Sequence, residues 1–332
     1  MKTNNNIPAY RFKSYTDAWE LRKLGELGEI VTGSTPPIAN EEYYSDKGIP
    51  WITPTDIETN IISDSAKKLS AEGAKIGRVV RANSILCTCI ASIGKNALLT
   101  TNGSFNQQIN SLTPYSDNDS YFLLTSSELW SIQMKQIASS GTMQIVNKTE
   151  FSELRTMIPS LPEQEAIGTF FSTLDQHIAL HQRKLDTLKE QKKTYLKLLF
   201  PAKGQTKPAL RFQGFEDDWE EVKLGDISKM YQPQTITGSE LTDEGVPVFG
   251  ANGYIGYYSD SNHVTDQVTI SARGEGTGTP NFVKAPVWIT GNSMVINVDE
   301  NKNIDKKFLY ANFLAYDFKK YVCGGAQPQL TR

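Results

Sequence analysis

Apolar residues recur at alternating steps of four and three positions along the stretch from Pro162 to Phe200. This spacing predicts one long helix with a coiled-coil seam, because positions three and four apart lie on the same helical face. Pro162 suits the first helical turn, where its missing N–H costs no hydrogen bond, and Pro201 ends the run. At 1.5 Å per residue the helix is a rod of roughly 60 Å. Its seam consists of Ile167, Phe171, Leu174, Ile178, His181, Leu185, Leu188, Lys192, Tyr195 and Leu199.

The seam of this rod needs a partner, because one long helix has little core of its own. An ordinary long core helix is the alternative, but the sustained heptad pattern favours a helix–helix spacer. His181 lies four residues after His177, as two metal ligands on a helix would. No third ligand is evident, so we interpret His181 as a polar position that sets the pairing register. The residues expected to pair with another helix are Phe171, Leu174, Ile178, Leu185, Leu188, Tyr195 and Leu199.

Two segments of the chain, 200 positions apart, share a sequence pattern. YRFKSYTDAWELRKLGEL begins at Tyr10, and LRFQGFEDDWEEVKLGDI begins at Leu210. The identities at this constant offset include Arg11 and Arg211 as well as Trp19 and Trp219. The chain is therefore a tandem repeat of a domain-sized unit. A repeated scaffold with different loops suggests one task performed on two targets, and duplication without functional meaning is the alternative.

Each repeated unit alternates short β-rich runs with turn residues. Strands are predicted within Ser84–Ala91, Val264–Ser271 and Pro286–Val298, and helices over Tyr121–Ile137 and Lys306–Tyr321. The predicted fold class is α+β, with two strand-rich domains separated by a long coiled-coil-type helix. The predicted division is a first domain over residues 1–158, the long helix over 159–203 and a second domain over 204–332.

Composition describes an ordinary globular protein, with 39% hydrophobic and 21% charged residues. We expect a cytoplasmic protein with no membrane contact, since no apolar run is long enough to span a bilayer and no signal peptide is evident. Three cysteines make a poor disulfide framework. Cys87 and Cys89 alternate within a predicted strand, so both thiols are expected in the core.

Catalytic motifs are not evident in the sequence. Gly94-Lys95-Asn96 lacks the first glycine and the hydroxyl of a phosphate-binding loop, and the glycine-rich run from Gly274 to Thr279 has its third glycine one place early for a dinucleotide loop. We therefore expect no catalytic residue, no metal site and no cofactor bound by this chain.

Polar residues in or beside loops at matching places in the two units are suited to reading DNA. Asn and Gln recognise adenine edges, Arg and Lys recognise guanine, and hydroxyl groups contact either bases or phosphates. For any one of these residues a solvated turn position is the alternative interpretation. The candidates are Thr53, Thr55, Lys95, Asn106, Gln107, Gln108, Gln144, Lys148, Gln232, Gln234, Asn252, Arg273, Asn292, Gln327, Gln329 and Arg332. The net charge of −3 opposes this hypothesis, since phosphate contacts normally dominate affinity.

Several motifs resemble the specificity subunit of type I restriction–modification systems. They include GSTPP at Gly33–Pro37, IPWITPTDI at Ile49–Ile57, and above all IPSLPEQEAIGTFFSTLD at Ile158–Asp175, together with the repeated Trp–Lys–Leu–Gly opening. The resemblance covers the whole chain. It implies a non-catalytic subunit whose two target-recognition domains each read half of a bipartite duplex DNA site, with the helix setting the spacer.

The resemblance also implies partners. Modification subunits would bring the methyltransferase chemistry with S-adenosylmethionine, and a restriction and translocase subunit would bring ATP and Mg²⁺. Family members usually carry a second long helix that packs on the first, and this sequence ends at Arg332 without one. Self-association through the exposed seam is therefore a further expectation.

Two other functions remain possible from the residues. One is a stand-alone DNA methyltransferase or nuclease with unfamiliar motifs. The other is a truncated helix-mediated scaffold or inhibitor that does not read DNA.

Overall fold

The computed structural model describes residues 6–140, 144–274, 276–323 and 329–330, with only the backbone of Ser140. The chain forms two compact units, unit 1 over Met1–Gln182 and unit 2 over Arg183–Arg332. Their boundary falls within the long helix, whereas the sequence predicts that helix as a separate segment.

Unit 1 combines short strands with a few helices. Its helices are α1 (Leu24–Leu27), α2 (Ala71–Ile76), α3 (Ser120–Ser140), α4 (Lys148–Glu153) and the first part of α5 (Leu161–Leu199), with a 3-10 turn at Glu41–Tyr43. Its strands are β1 (Glu20–Lys23), β2 (Gly28–Thr32), β3 (Tyr44–Ile52), β4 (Ile61–Ile62), β5 (Lys68–Leu69), β6 (Val79–Val80), β7 (Ser84–Thr88), β8 (Asn96–Leu99), β9 (Gly103–Phe105), β10 (Ile109–Pro114) and β11 (Arg155–Ile158).

The strands of unit 1 form sheets in the orders β2-β10-β7-β8-β4 and β5-β3-β9-β6, together with the pair β1-β11. Strand β7 is buried on both faces, and its side chains alternate between two cores as the two-residue period of a strand requires. Ile85 and Cys87 lie in the core that includes Trp130 of α3. Leu86 lies in the other core, with Phe105 of β9. Helix α3 begins where the Asp119 carboxylate accepts the Phe122 N–H at 2.7 Å, a side-chain N-cap.

Unit 2 begins with the second part of α5. Its other helices are α6 (Leu224–Ile227) and α7 (Lys306–Ala315), with 3-10 turns at Gly238–Glu240 and Phe318–Tyr321. Its strands are β12 (Lys229–Tyr231), β13 (Val246–Phe249), β14 (Tyr254–Tyr258), β15 (Gln267–Ser271), β16 (Pro280–Val283), β17 (Trp288–Ile289) and β18 (Ser293–Asn297).

The sheets of the two units share one topology. The order β12-β18-β15-β16 in unit 2 corresponds to β2-β10-β7-β8 in unit 1. In the other sheet, β13 pairs in parallel with β17 as β3 pairs in parallel with β9. The repeat read from Trp19 and Trp219 therefore extends to the shared strands of both sheets, and the predicted α+β class is confirmed.

In unit 2 one predicted strand-rich run divides into two strands, and one predicted helix boundary is wrong. The run Pro286–Val298 forms two strands, β17 and β18, because the chain turns at Gly291 to pass beside the backbone of Pro233, where a Cβ would lie 2.7 Å from the Pro233 oxygen. The helix predicted over Lys306–Tyr321 ends at Ala315. Tyr316 is extended there, and the Asp317 side chain caps a separate 3-10 turn by accepting the Lys319 N–H.

The predicted long helix is confirmed as α5, which has 39 residues. Polar contacts to other parts of unit 1 hold its first turns. The Arg11 guanidinium donates two hydrogen bonds, of 2.7 and 2.6 Å, to the Glu163 carboxylate, which is 1% exposed. Gln164 is also buried; its side chain accepts the Asp119 N–H at 3.0 Å and donates to the Pro159 carbonyl at 3.0 Å.

Most of the seam of α5 is exposed in both units, although Ile167 and Leu199 are half-buried. In unit 1, Ile178 is 65% exposed, and in unit 2 Leu188 is 51% and Tyr195 53% exposed. Helix pairing through these residues stays a prediction.

The repeat supplies a matched pair of core substitutions. Phe122 and Phe308 follow equivalent aspartate caps at the starts of α3 and α7, but Phe122 is 2% exposed and Phe308 is 46% exposed. We expect Phe122→Ala to lower the free energy of unfolding of unit 1 by about 3–5 kcal/mol, since it leaves a cavity in a closed core. Phe308→Ala should cost unit 2 less. Urea denaturation followed by tryptophan fluorescence and circular dichroism measures both losses, and equal losses would contradict this assignment.

Candidate nucleic-acid interface

Five loop segments meet at one end of unit 1, and we name them loop cluster 1: residues 33–35, 52–55, 89–95, 106–108 and 144–146. Backbone hydrogen bonds join them. They run from Ser34 N–H to Phe105 O (2.9 Å), Asn106 N–H to Ile52 O (2.9 Å), Cys89 N–H to Gln108 O (2.7 Å) and Val146 N–H to Cys89 O (2.9 Å). Residues far apart in sequence thus share one surface, because the strands that carry them end together.

The threonines of loop cluster 1 lie in a turn closed by Asp56. The carboxylate of Asp56 accepts both the Thr53 N–H (2.8 Å) and the Thr53 hydroxyl (2.6 Å). The hydroxyl oxygens of Thr53 and Thr55 are 2.7 Å apart, and Thr55 is exposed. Lys95 is also exposed, and its Nζ donates to the Pro54 carbonyl at 3.3 Å. A fixed turn thus presents a hydroxyl beside an ammonium group.

The asparagine and glutamines at positions 106–108 have different surroundings. Asn106 is 8% exposed; its Nδ2 donates to Gln108 Oε1 at 2.9 Å, and its Oδ1 accepts the Gln108 N–H at 3.1 Å. Gln107 is exposed, and its Oε1 accepts the Thr35 hydroxyl at 2.6 Å. Asn106 therefore supports the loop from inside, while Gln107 keeps an amide NH₂ toward solvent.

Gln144 and Lys148 are both exposed. Gln144 precedes Ile145, whose backbone forms a β-bridge with Ile90, so it belongs to loop cluster 1. Lys148 is the first residue of α4, directly after the cap Asn147. The structure therefore brings together all of the unit 1 candidates except Lys148, which lies just beyond the cluster.

Unit 2 has an equivalent set of segments, loop cluster 2: residues 232–235, 249–252, 271–273, 290–292 and 329–330. Hydrogen bonds join them pair by pair. They run from Gly291 N–H to Thr235 Oγ1 (3.2 Å), Thr290 N–H to Phe249 O (3.0 Å), Ser271 Oγ to Asn252 Oδ1 (2.7 Å), Ala272 N–H to Asn292 O (2.8 Å) and Leu330 N–H to Ala272 O (3.0 Å). The last two bonds repeat those that join Cys89 to Gln108 and Val146 to Cys89 in unit 1.

Most unit 2 candidates lie at the surface of loop cluster 2. Arg273 and Gln329 are exposed, and their backbones form a β-bridge. Asn292 is half-buried. Gln327 and Arg332 lie outside the described residues. The other exposed candidates are Gln232, Gln234 and Asn252.

Thr35 and Thr235 belong to loop clusters 1 and 2 but were not among the residues predicted from the sequence. Thr35 positions the Gln107 side chain, and the Thr235 hydroxyl accepts the Gly291 N–H. Both lie in or beside loops in which other residues were predicted to contact DNA. The sequence repeat could have identified them, because the two threonines are 200 positions apart, as Trp19 and Trp219 are.

The cysteines beneath loop cluster 1 are buried, as the alternation in β7 predicts. Cys87 is 0% exposed and Cys89 is 2% exposed. Burial raises the pKa of Cys89 to about 12 and that of Cys87 well above its ordinary value. Both thiols therefore stay protonated at neutral pH, a state that suits neither metal binding nor nucleophilic attack.

Titratable groups elsewhere in the described residues can also be compared with a metal site. Within residues 6–140, 144–274, 276–323 and 329–330, no three His, Cys, Asp or Glu side chains are grouped to hold a metal ion. His263 is buried, and burial lowers its pKa; its Nε2 lies 2.8 Å from the Tyr231 hydroxyl and its Nδ1 lies 2.6 Å from Asn262 Oδ1. We interpret His263 as a neutral, hydrogen-bonded core residue.

Comparison with protein families gives one clear match. The model of the type I restriction modification DNA specificity domain matches residues 16–190 and 216–332. The chain belongs to this family. The two matches cover both repeated units, so the resemblance drawn from the sequence motifs is confirmed.

Curated relatives of this specificity family are similar over different lengths. The type I restriction enzyme HindI specificity subunit of Haemophilus influenzae is 31% identical over 171 residues, which cover 48% of this chain and 37% of that protein. The EcoprrI specificity subunit of Escherichia coli is 25% identical over 330 residues, covering 92% of this chain and 79% of that protein. The chain thus spans well under two thirds of the first relative and most of the second.

A solved structure shares the fold. The crystal structure of the type I restriction–modification system S subunit from M. genitalium superimposes with a TM-score of 0.63 at 17% identity, covering 93% of this chain and 79% of that one. None of the described helices is both long and apolar enough to cross a membrane.

Assembly of loop cluster 1 depends on a close approach at Gly33. A Cβ there would lie 2.2 Å from the Asn106 carbonyl oxygen and 2.3 Å from that of Phe105. We therefore expect Gly33→Ala to separate residues 33–35 from residues 105–108 and to speed amide hydrogen exchange in both. Gly238→Ala is the control, because no atom lies within 4 Å of its added Cβ. Unchanged protection at Ser34 and Asn106 in Gly33→Ala would contradict the close packing of these loops.

Proposed function

We propose that this chain is the DNA sequence-recognition subunit of a type I restriction–modification complex. Loop cluster 1 reads one half of a bipartite duplex site, loop cluster 2 reads the other half, and α5 sets the distance between them. The observation that carries this proposal is the presence of equivalent loop clusters in both repeats, each with exposed amide and cationic side chains, in a member of the DNA specificity family.

Residue types in the clusters suit base recognition. The exposed amides of Gln107 and Gln144 match the donor and acceptor pair of adenine in the major groove, and the guanidinium of Arg273 matches guanine. Thr55 and Lys95 suit phosphate oxygens or base edges. Asn106, which is buried and hydrogen-bonded to Gln108, would act by holding the loop in shape.

The net charge of −3 leaves a shortage of positive charge for a DNA-binding protein. We propose that basic surfaces on partner subunits supply the missing phosphate contacts. Those partners would be modification subunits, which bring S-adenosylmethionine and adenine methylation, and a restriction and translocase subunit, which brings ATP and Mg²⁺.

The exposed seam of α5 supports a helical partner. We propose that either a second copy of the rod or a helix of a partner subunit covers Ile178, Leu188 and Tyr195. A strictly monomeric chain at micromolar concentration in sedimentation analysis would exclude the second copy.

Alternative functions are separated by simple assays. Methylation or cleavage of duplex DNA by the purified chain alone, with S-adenosylmethionine and Mg²⁺ supplied, would establish a stand-alone enzyme instead. Failure to bind any random duplex in the presence of the partner subunits would establish a scaffold or inhibitor.

Substitution of a cluster residue should change the sequence that is read. We expect Gln144→Ala to relax discrimination in one half-site and Arg273→Ala to relax it in the other, by about 1–3 kcal/mol for each lost base contact. The measurement is sequencing of methylated sites in DNA treated with the reconstituted complex.

A matched control for Arg273→Ala is Lys302→Ala. Lys302 is an exposed cation that follows the end of β18, whereas loop cluster 2 lies at the beginning of that strand. Its removal should leave both half-sites unchanged. Loss of complex assembly in Arg273→Ala, with an unchanged site, would contradict the assigned role.

Shortening of the rod should change only the spacer. Deletion of residues 182–188 removes one heptad, about 10 Å of helix, and keeps the seam on one face. We expect the permitted distance between half-sites to change by about three base pairs, at 3.4 Å per base pair, with both half-site sequences retained. Genomic methylation in cells that carry the shortened chain and its partners measures the spacer, and an unchanged spacer would contradict the role of α5.

A further inference from the structure

The Gln107 side chain of loop cluster 1 is anchored by a neighbouring hydroxyl group. The Thr35 hydroxyl donates to Gln107 Oε1 at 2.6 Å, and Gln107 is exposed. Among the described residues the Gln107 amide nitrogen donates no hydrogen bond. The amide is therefore held at its oxygen and keeps both of its N–H groups for another partner.

Anchoring changes what a glutamine contributes to recognition. A long side chain loses rotamer freedom when it is fixed against a ligand, and this loss weakens binding. A side chain that an internal hydrogen bond has already fixed avoids part of that loss. Thr35 is itself well placed for this task, because the preceding Ser34 N–H donates to Phe105 O at 2.9 Å and so joins the two loops. Gln107 is therefore preorganised.

Unit 2 has no side chain at the position of Gln107. Gln107 lies two residues after β9, and Gly291 lies two residues after β17, the equivalent strand. A Cβ on Gly291 would lie 2.7 Å from Pro233 O and 2.8 Å from Thr235 Oγ1. The close approach of this loop therefore excludes any side chain there, and unit 2 cannot use this position to contact a ligand.

The anchored amide of unit 2 lies on a different loop. Asn252 is exposed and lies three residues after β13, at the position that Thr55 occupies after β3. Its Oδ1 lies 2.7 Å from the Ser271 hydroxyl. A Cβ on Gly276 would lie 2.1 Å from Asn252 Nδ2 and 2.2 Å from its Oδ1, so only glycine fits beside this amide. The glycine-rich run thus confines Asn252 in its place.

We propose that Gln107 and Asn252 are base-reading amides and that Thr35 and Ser271 are their positioning residues. The two units then read their half-sites with different loops of one scaffold, the loop after β9 in unit 1 and the loop after β13 in unit 2. This inference rests on the proposed function and adds to it the residues that set specificity. It also gives a physical route by which one duplicated fold acquires two specificities while its strands stay the same.

The anchored amide of Gln107 is suited to a hydrogen-bond acceptor on the base. With its oxygen held by Thr35, it presents N–H donors. In the major groove both purines present N7, guanine adds O6 and thymine presents O4 as acceptors, whereas cytosine presents only its N4 donor. Gln107 therefore disfavours cytosine at one position of its half-site.

The test selects duplexes from a randomised DNA pool with the full chain and the modification subunits, and sequences what is bound. Gln107→Glu keeps the shape of the side chain and replaces the donor NH₂ with an acceptor oxygen. We expect the preference at one position of the unit 1 half-site to shift toward cytosine by roughly tenfold, with the other half-site unchanged. Gln136→Glu, at an exposed position of α3, adds the same charge and should change no base preference.

Thr35 has a readout that a purely structural role would not change. Thr35→Val keeps the size of the side chain and removes the hydroxyl, so it should weaken discrimination at the Gln107 position several-fold, and Thr35→Ser should restore it. Thr35→Val combined with Gln107→Ala should discriminate no worse than Gln107→Ala alone, because both changes remove one contact. An equal loss of affinity for all sequences in Thr35→Val would assign Thr35 a structural role and overturn the proposal.

Asn252→Ala tests the assignment of the two amides to two half-sites. It should relax one position of the unit 2 half-site and leave the unit 1 half-site unchanged. Relaxation of the same half-site by Asn252→Ala and Gln107→Ala would overturn the assignment. A bipartite site that neither Gln107→Glu nor Asn252→Ala alters would overturn this inference alone, whereas selection of no sequence by the unaltered chain would overturn the proposed function.

Discussion

The buried contact between Arg11 and Glu163 fixes the start of α5 in unit 1. A carboxylate that is 1% exposed is costly to bury unless it is paired and hydrogen-bonded, and Arg11 supplies both hydrogen bonds in a bidentate geometry. Its hydrogen bonds in turn raise the pKa of Arg11, so the guanidinium stays charged. Gln164 extends the arrangement by joining the loop before α3 to the end of β11. Such networks contribute more to a unique geometry than to stability, and a spacer helix needs a unique geometry at its origin.

The two units share a central sheet arrangement and a loop arrangement. Both place a strand that is buried on both faces at the centre of a sheet, β7 in unit 1 and β15 in unit 2. Both bring loops from separate strands to one end by the same backbone hydrogen bonds. Among the described residues, unit 1 also adds α4, β11 and the start of α5 to its core. The loop clusters are formed in both units.

Much of this arrangement follows from sequence patterns that have a direct physical meaning. The heptad spacing predicts α5, since only a helix places Phe171, Leu174 and Ile178 on one face. The constant offset from Trp19 to Trp219 predicts the duplicated fold. Clustering of the polar candidates could not be derived from spacing, because it depends on the parallel pairing of β3 with β9, which is set by tertiary packing.

Local sequence also fails where a backbone contact overrides a propensity. The strand-rich run Pro286–Val298 gives no signal of where it divides, and Gly291 turns it against Pro233. Asn106 reads as a surface amide, yet it is buried because Gln108 supplies both of its hydrogen bonds. In each case the local sequence pattern does not show the contact, with Pro233 or with Gln108, that determines the structure.

The three cysteine thiols of this chain differ in solvent exposure, which permits selective labelling. Burial keeps Cys87 and Cys89 protonated, whereas Cys323 is exposed and its backbone forms a β-bridge with Gln329 of loop cluster 2. A maleimide dye should therefore attach to the native chain at Cys323 without removal of the other two cysteines. An environment-sensitive fluorophore at that position would report when a ligand approaches the second cluster, and it would leave the first cluster unlabelled.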